Sequence, residues 1–449
     1  MDLLKNLFKG DKIVWTIYLF LCVISIIEVF SATSTLSFKS GNHWTAITNH
    51  TVFLLFGALI VVVIHNLNYR FFQLIPFILL PVSGLMLLFL TVMGHMGHGK
   101  VNDAARWFEL AGVQFQPSEL AKMGVVLAVA FLLARDQQRP RGTGNGVFKT
   151  ICITTGIFVV LIGLENISTA LLLMLVVIIM MFIGRIEMRK LLTIVGSLTL
   201  AGLLGFSAIM MAPDVEETPA EAEKAEAVAT VTPQEAQQER GTSSIGRFST
   251  AKQRILRFFA NREVPPEEFD LDKNAQEAHA HIAIASSNII GKLPGNSEER
   301  DFLSQAFSDF IFAIIIEELG LVGGIFVIML YLLLFIRAGR IAQKARGNFA
   351  SFLVMGITLL IVIQALVNMC VAVGLIPVTG QPLPLISKGG TSILVTSMYF
   401  GMILSVSRYT EKLEKRKEDL PDTELSKEQI IRDQERLAEA EKAQAGSPA

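Results

Sequence analysis

Residues 149–183 read KTICITTGIFVVLIGLENISTALLLMLVVIIMMFI, and this stretch decides the fold class. Only two of its residues are charged, Lys149 and Glu165, and the short polar turn at Glu165 and Asn166 divides it into two apolar runs. A helix that crosses a bilayer needs about 20 mainly apolar residues, because lipid cannot hydrogen-bond to the backbone and the helix does so internally. The stretch therefore predicts two consecutive membrane-spanning helices joined by a tight turn.

The composition of the whole chain agrees with this stretch. Of its 449 residues, 52% are hydrophobic and 18% are charged, whereas a soluble domain usually has about a quarter charged residues. This composition excludes an ordinary water-soluble enzyme, and it also excludes a disordered chain, which needs low hydrophobicity and high charge. Lys and Arg number 39 against 40 Asp and Glu, for a net charge of −1. Because the chain has no overall basic field, we expect no nucleic-acid partner.

The apolar runs predict an all-α membrane protein, a polytopic bundle of about ten transmembrane helices. These runs begin near residues 13, 47, 72, 118, 149, 168, 188, 309, 350 and 390. The first run is too long for a signal peptide and lacks a clear cleavage site, so we expect it to remain as the first helix. Fifteen Lys and Arg residues lie in one set of alternate short connections and four in the other, which predicts that both termini are cytoplasmic.

A large extracytoplasmic loop, residues 212–308, is predicted between the seventh and eighth spans. Its acidic part, 214–240, is rich in Ala, Pro and Gln and is typical of a disordered insert. Residues 249–262 interleave basic and apolar side chains, which favours a helix on the membrane surface; a packed helix of the outer part is the alternative. Residues 1–410 form the predicted transmembrane domain, and 411–449 form a charged cytoplasmic tail.

The first group of polar residues follows the third span and reads VNDAARWFELAGVQFQPSELAK over residues 101–122. Pro117 suits the first turn of a helix, which places Glu119 and Lys122 on one face. A guanidinium and an ammonium near the lipid headgroups suit a phosphate or pyrophosphate ligand. The alternative is an ordinary Glu119–Lys122 ion pair, with Arg106 extended towards the interface. The candidate binding residues of this group are Arg106, Trp107, Gln116, Ser118, Glu119 and Lys122.

The second group, residues 308–320, reads SDFIFAIIIEELG at the start of the eighth span. A carboxylate at the interface beside an apolar wall can accept a proton, so Asp309 is a candidate base. The alternative for Asp309 is a helix N-cap. Glu317 and Glu318 lie roughly 12 Å deeper, and for them we predict a buried structural network.

The third group is NMCVAVGLIPVTGQPLPLISKGGTS, residues 368–392, with three prolines and four glycines. Irregular backbone at membrane depth is tolerated where it lines a cavity, so this loop predicts one. The candidate binding residues here are Gln364, Asn368, Thr379, Ser387, Lys388, Gly389 and Gly390. Two histidine pairs, His95 with His98 and His279 with His281, lack a third ligand nearby, so neither predicts a metal site.

Four segments together resemble the SEDS family, the polytopic bacterial proteins that include FtsW and RodA. They are ARWFELAGVQFQPSELAK, QRILRFFA, SDFIFAIIIEELG and GLIPVTGQPLPLISKGGTS. The resemblance covers residues 10–410 and leans towards the division member of the family, with the elongation type as an alternative. It implies a peptidoglycan glycosyltransferase that polymerises lipid II at the outer leaflet of the cytoplasmic (inner) membrane. Asp309 matches the base of the family, and Arg106 and Lys122 match positions thought to hold substrate.

The resemblance also implies a class B penicillin-binding protein as transpeptidase partner, together with other divisome proteins. A divalent metal could assist the pyrophosphate, although the sequence contains no ligand cage for it. A lipid II flippase is the alternative function, but a transporter would show paired broken helices, and only the 368–392 segment is broken by Gly and Pro. The chain departs from the family at Gln305, at Glu165–Thr169 and at Lys388, where the family usually has Tyr. We interpret Lys388 as an added cation facing the outer cavity.

Overall fold

The computed structural model describes residues 9–32, 43–95, 108–110, 113–137, 144–211, 275–303, 306–418 and 432. Within these residues the first seven helices and one hairpin are α1 (Lys12–Ala32), α2 (His43–Asn66), α3 (Ile75–His95), β1 (Phe108–Leu110), β2 (Val113–Phe115), α4 (Pro117–Gln137), α5 (Asn145–Gly163), α6 (Ile167–Ile183) and α7 (Met188–Met211). The later helices are α8 (Ala275–Ser286), α9 (Ile311–Lys344), α10 (Asn348–Ala372) and α11 (Gly390–Glu418). Short 3-10 turns span Tyr69–Gln73 and Glu299–Asp301.

The helical membrane fold is confirmed. A helix lies at each of the ten predicted apolar runs, and α8 is the additional helix, between α7 and α9. Among the described residues, eight helices are long and apolar enough to cross a membrane, while α6 is shorter, with 17 residues. The antiparallel hairpin, in which Phe108 pairs with Phe115, was not expected from the sequence. The predicted insert 214–240 and surface helix 249–262 lie outside the described residues.

The turn between α5 and α6 follows from its polar residues. Asn166 is the N-cap of α6, and its side-chain oxygen accepts a hydrogen bond from the Thr169 N–H at 3.2 Å. An Asn cap satisfies a backbone donor that has no partner within the helix. The two apolar helices therefore form the predicted hairpin.

The centre of the bundle consists of α4, α10 and α11, whose residues are mostly buried, whereas α2, α3 and α5 expose apolar side chains along their outer faces. Asp11 pairs with Arg337 at 2.5 Å, and Lys344 pairs with Glu414 at 3.1 Å. The start of α1 and the ends of α9 and α11 therefore meet at one end of the bundle. The polar residues described below gather around the opposite ends of α9 and α10.

The long helix α9 is interrupted at Gly320, which has φ 72° and ψ −175°. Residues 288–293 of the preceding loop fill the break with backbone hydrogen bonds. Lys292 N–H donates to the Glu317 carbonyl at 2.9 Å, and Leu293 N–H donates to the Glu318 carbonyl at 2.8 Å. In return, the N–H groups of residues 321 and 322 donate to the carbonyls of residues 288 and 289 at 3.4 and 3.3 Å. The loop thus replaces hydrogen bonds that the helix gives up at the break.

The first part of α9, residues 311–318, is buried on all sides, whereas the part after Gly320 exposes one apolar face. The break at Gly320 therefore separates a segment enclosed by protein from a segment of ordinary span character. This enclosed segment directly follows Asp309. It gives the candidate base a rigid attachment.

Candidate active site

Asp309 lies in a turn, residues 306–310, immediately before α9. The cap position of α9 is occupied by Phe310, without a side-chain cap hydrogen bond, so the alternative reading of Asp309 as the N-cap is wrong. Its carboxylate is half-buried, and Oδ1 accepts a hydrogen bond from the Ser308 hydroxyl at 3.1 Å. A partly exposed carboxylate in a turn at the edge of an enclosed segment is accessible to a substrate hydroxyl.

The loop between α10 and α11, residues 373–389, holds this turn in place. The Ser387 hydroxyl donates to the Ser308 carbonyl at 2.6 Å and accepts from the Leu383 N–H at 2.7 Å. The Lys388 N–H donates to the Phe307 carbonyl at 2.9 Å. These bonds join residues 387 and 388 to residues 307 and 308. The loop 373–389, the signature loop, therefore lies beside the segment 308–320, and these two are the signature segments.

Asn368 of α10 forms hydrogen bonds to both the Asp309 turn and the signature loop. Its amide Nδ2 donates to the Asp309 carbonyl and to the Gln381 carbonyl, each at 2.8 Å. The Gln381 amide in turn donates to the Thr169 hydroxyl at the start of α6 at 2.6 Å. Asn368 was predicted as a site residue, whereas Gln381 and Thr169 were not. The signal for Thr169 was the departure from the family pattern in the α5–α6 turn.

Lys122 lies deeper, in a buried chain of polar side chains. Its ammonium Nζ is 2.7 Å from Glu119 Oε1 and donates to Gln364 Oε1 at 2.9 Å. The Lys122 side chain is 0% exposed and that of Glu119 is 5% exposed. The Gln364 amide then donates to the Pro382 carbonyl at 3.1 Å. Lys122 thus contacts the signature loop through Gln364.

Lys388 is attached to the Asp309 turn through its backbone, because its N–H donates to the Phe307 carbonyl. Its Nζ lies 5.0 Å from the ring centroid of Phe307, a cation–π distance. Burial lowers the pKa of the Lys388 ammonium, because a low-dielectric environment disfavours the charged form. The side chain is only half-buried. The Lys388 side chain thus contacts Phe307, two residues before Asp309.

Several buried polar atoms around the signature loop have no hydrogen-bond partner among the described residues. They are Asn368 Oδ1, Thr379 Oγ1, Gln381 Oε1 and Tyr399 Oη. Buried polar atoms are paired in the great majority of native sites, so each of these atoms is a place where water or a polar ligand can bind. Two of the four, Asn368 and Thr379, were candidates from sequence.

The remaining predicted residues fall into three places. Gln116 is half-buried and Ser118 buried at the start of α4, while Gly389 and Gly390 lead into α11. Arg106 and Trp107 lie outside the described residues. In the part of the chain that the structure describes, no group of three His, Cys, Asp or Glu side chains could hold a metal ion. His279 instead forms a pair with Glu299 at 2.6 Å.

The fold and this site define a polytopic helical membrane protein with a polar, carboxylate-containing site built on irregular loops at one end of the bundle. The family described as cell cycle protein, FtsW/RodA/SpoVE, matches residues 11–412, and the chain belongs to this family. The SEDS resemblance is thereby confirmed.

Relatives from several bacteria match most of the chain. A probable peptidoglycan glycosyltransferase FtsW of Geobacter sulfurreducens is 27% identical over 407 residues, covering 90% of this chain and 96% of the relative. Stage V sporulation protein E of Bacillus subtilis is 26% identical, covering 89% and 97%. Peptidoglycan glycosyltransferase MrdB of Escherichia coli is 27% identical, covering 70% and 73%.

Solved structures share the fold. A chain from a peptidoglycan synthase complex that coordinates polymerization and crosslinking superposes with a TM-score of 0.63 at 24% identity, covering 89% of this chain and 98% of that chain. Thermus thermophilus RodA superposes with a TM-score of 0.59 at 22% identity, covering 89% and 97%. These structures support the multi-pass helical architecture.

Proposed function

We propose that this protein, a peptidoglycan glycosyltransferase by family, polymerises lipid II at the outer leaflet of the cytoplasmic membrane with Asp309 as general base. The name peptidoglycan glycosyltransferase is carried by the Geobacter and Escherichia relatives. The observation that carries the proposal is the pairing of residues 307–308 with 387–388, which places a half-buried carboxylate and a half-buried ammonium on adjacent segments. Both termini are cytoplasmic in this proposal.

The reaction needs one base and a positive charge. A hydroxyl of the acceptor sugar attacks the anomeric carbon of the donor, Asp309 takes the hydroxyl proton, and the bond from the anomeric carbon to the lipid pyrophosphate breaks. The pyrophosphate leaves with the bonding electrons, so a cation close to it stabilises the transition state. Lys388 and Arg106 supply this charge in the proposal. A divalent ion could assist, and would have to be held by the pyrophosphate rather than by a protein cage.

The other site residues have positioning roles in this proposal. Lys122 is enclosed, and both of its polar contacts, Glu119 and Gln364, belong to the protein. Asn368 holds the Asp309 carbonyl. Thr379 and Gln381 offer unpartnered polar atoms to sugar hydroxyls or water. Trp107, Gln116, Ser118, Gly389 and Gly390 complete the proposed substrate surface.

We assign the protein to division rather than elongation. Relatives named FtsW match 90% of the chain and MrdB matches 70%, but the RodA structure covers 89%, so coverage does not separate the two types. The assignment is based on the resemblance of the loop GLIPVTGQPLPLISKGGTS and of the charged tail to the division type. The proposed partner is a class B penicillin-binding protein on the outer face, acting with other divisome proteins. The synthase complex whose chain shares this fold combines polymerization and crosslinking, which is consistent with such a partner.

A lipid II flippase is the second candidate function. Transporters are often built with paired broken helices whose irregular backbone lines a midplane site. Besides the irregular loop 373–389 between α10 and α11, the structure has a second interruption of regular helix, at Gly320 of α9. Two interruptions fit the paired broken helices of a transporter better than the single one visible in the sequence.

One experiment separates the two functions. The full-length protein in vesicles, with and without its transpeptidase partner, is given lipid II, and both glycan strands and lipid movement are measured. We expect strands from the wild type and none from Asp309→Asn. Glu187→Gln is the control, because Glu187 is an exposed carboxylate away from the site and pairs with Lys190, and it is expected to polymerise normally. Lipid movement without strands would favour the flippase, and full activity of Asp309→Asn would refute the base.

A further inference from the structure

A buried acidic cluster lies between α1, the first part of α9 (residues 311–318) and the loop 288–303. Glu317 is 0% exposed, and its two oxygens are fully used. Oε1 accepts from the Lys292 ammonium at 2.9 Å and from the Glu298 N–H at 3.0 Å, and Oε2 accepts from the Ser297 hydroxyl at 2.5 Å. The prediction that this glutamate belongs to a buried network is confirmed. Its charge is balanced by Lys292.

Glu318, also 0% exposed, is bonded on one oxygen only. Its Oε1 accepts from the Ser31 hydroxyl of α1 and from the Ser297 N–H at 3.3 Å, and it lies 3.9 Å from Arg300 Nη1. Its Oε2 is buried and has no hydrogen-bond partner among the described residues. Arg300 balances its charge, and one acceptor site remains open.

Glu28 of α1 is the third acid of the cluster, and it has no partner for either oxygen among the described residues. It is 0% exposed. Ser31, one turn further along α1, contacts Glu318, so Glu28 lies on the same face of the helix. Glu318 carries a like charge and lies within electrostatic range of Glu28.

The charges of this cluster do not balance. Glu28, Glu317 and Glu318 would contribute three negative charges if all were ionised, against the positive charges of Lys292 and Arg300. The other titratable groups around it are Glu298 and Asp301 of the loop, His50 of α2, which bonds to Ser25, and Lys388. Of these, the two acids add negative charge, and the His50 imidazole and the Lys388 ammonium belong to the neighbouring shell around Ser25 and Phe307.

An isolated ionised carboxylate in a water-free interior is very costly, whereas a neutral carboxyl that donates a hydrogen bond is tolerated. A metal ion would need several converging oxygens. The described residues contain no group of three acidic or imidazole side chains arranged to hold one. A proton, in contrast, needs only two oxygen atoms, one that carries it and one that accepts the resulting hydrogen bond.

We propose that Glu28 and Glu318 form a proton-binding pair, in which the Glu28 carboxyl takes one proton from bulk water and donates it as a hydrogen bond to Glu318 Oε2. The proton fills the one open acceptor of Glu318 and removes the excess charge. It joins α1 to the first part of α9, the segment that follows the Asp309 turn. This proposal is independent of the proposed reaction.

The test is infrared spectroscopy of the full-length protein in vesicles at neutral pH. The wild type is expected to show the carbonyl band of a protonated carboxyl. Glu28→Gln is expected to lack that band and to have the same unfolding temperature as the wild type. The amide of Gln keeps a donor for Glu318 Oε2. Glu187→Gln is the control, because Glu187 is an exposed carboxylate paired with Lys190, and the band is expected to stay.

A spectrum whose protonated-carboxyl band is unchanged in Glu28→Gln would overturn the proposal. So would a Glu28→Gln protein that fails to fold, because the neutral isostere replaces the protonated acid by design. A third contrary result is a wild-type unfolding temperature that falls on removal of sodium or magnesium ions, which would mean that a metal ion occupies the site. As a second measurement on the wild type alone, raising the pH is expected to remove the band and to lower the unfolding temperature together.

Discussion

The buried Glu119–Lys122 pair permits a quantitative test of whether Lys122 is a positioning residue. The perturbation is a double-mutant cycle with Glu119→Gln, Lys122→Met and the double variant. Each single change removes one charge and leaves the other buried, since both side chains are enclosed and 2.7 Å apart. The double change removes both charges and keeps similar volumes.

The magnitude follows from this enclosure. Breaking a buried ion pair by removing one partner costs about 3–5 kcal/mol, whereas replacing both partners by neutral groups of similar size is often close to neutral. In the Lys122→Met protein, Gln364 Oε1 also loses its donor at 2.9 Å, which adds about 1–3 kcal/mol for an unsatisfied buried acceptor. The cost at Gln364 is common to the Lys122→Met and the double variant, so it cancels in the cycle. We therefore expect a coupling free energy of about 3 kcal/mol or more, a factor of over about 100 in the unfolding equilibrium constant.

The assay is equilibrium unfolding of the purified protein by SDS in mixed micelles, with polymerisation of lipid II measured on the same samples. The chain provides a control pair with the same spacing, Glu187 and Lys190, at 3.2 Å but with the Glu187 side chain 64% exposed. The same substitutions there are expected to show a coupling of about 0.5 kcal/mol or less.

A coupling below about 1 kcal/mol for Glu119 and Lys122 would refute the reasoning. That result would mean that the ammonium is not enclosed in the membrane-bound protein. A Lys122→Met protein that folds as stably as the wild type and yet does not polymerise would instead assign Lys122 to direct contact with substrate.

Three further predictions concern the signature segments. Gly320→Ala should cost about 1–3 kcal/mol in backbone strain, because φ is 72° at this position, and its Cβ would in addition overlap the Ile289 carbonyl. Faster proteolysis of the loop before α9 would show this cost, and unchanged proteolysis would contradict it. Asn368→Leu removes both bonds that hold the Asp309 and Gln381 carbonyls and should lower kcat at least tenfold with little change in KM, measured by polymerisation kinetics. Because burial lowers the pKa of Lys388, this lysine loses its charge at a lower pH than an ordinary lysine does. Activity should therefore decline at alkaline pH, while the protein becomes more stable there because the buried charge is removed. Lys388→Arg should move the decline in activity to higher pH, and normal activity of Lys388→Ala would refute the role of this cation.

The span pattern and the hairpin at Glu165 and Asn166 could be predicted from sequence because each depends on local composition. Twenty consecutive apolar residues have few alternatives to a spanning helix, and an Asn before an apolar run is a common cap. The three polar segments could likewise be identified as candidates, because ionisable and irregular residues at membrane depth are rare.

The contacts between these segments could not be predicted in the same way. Gln381 lies 212 residues from Thr169 along the chain, and their hydrogen bond depends on how α6 and the signature loop are packed. The enclosure of Lys122 depends on Gln364 of another helix, so the spacing of Glu119 and Lys122 alone suited a surface site equally well. The break at Gly320 was hidden because a single glycine in an apolar run is compatible with a continuous helix.

The interleaving of residues 288–293 with the broken helix also limits how this protein can be recombined with its relatives. A chimaera that exchanges the outer loop alone would set a foreign backbone against the gap at Gly320 and leave four backbone groups to find new partners. The smallest transferable unit therefore extends from the loop through residue 322, across the conventional boundary between loop and span. Exchanges designed on span boundaries would divide one structural unit in two.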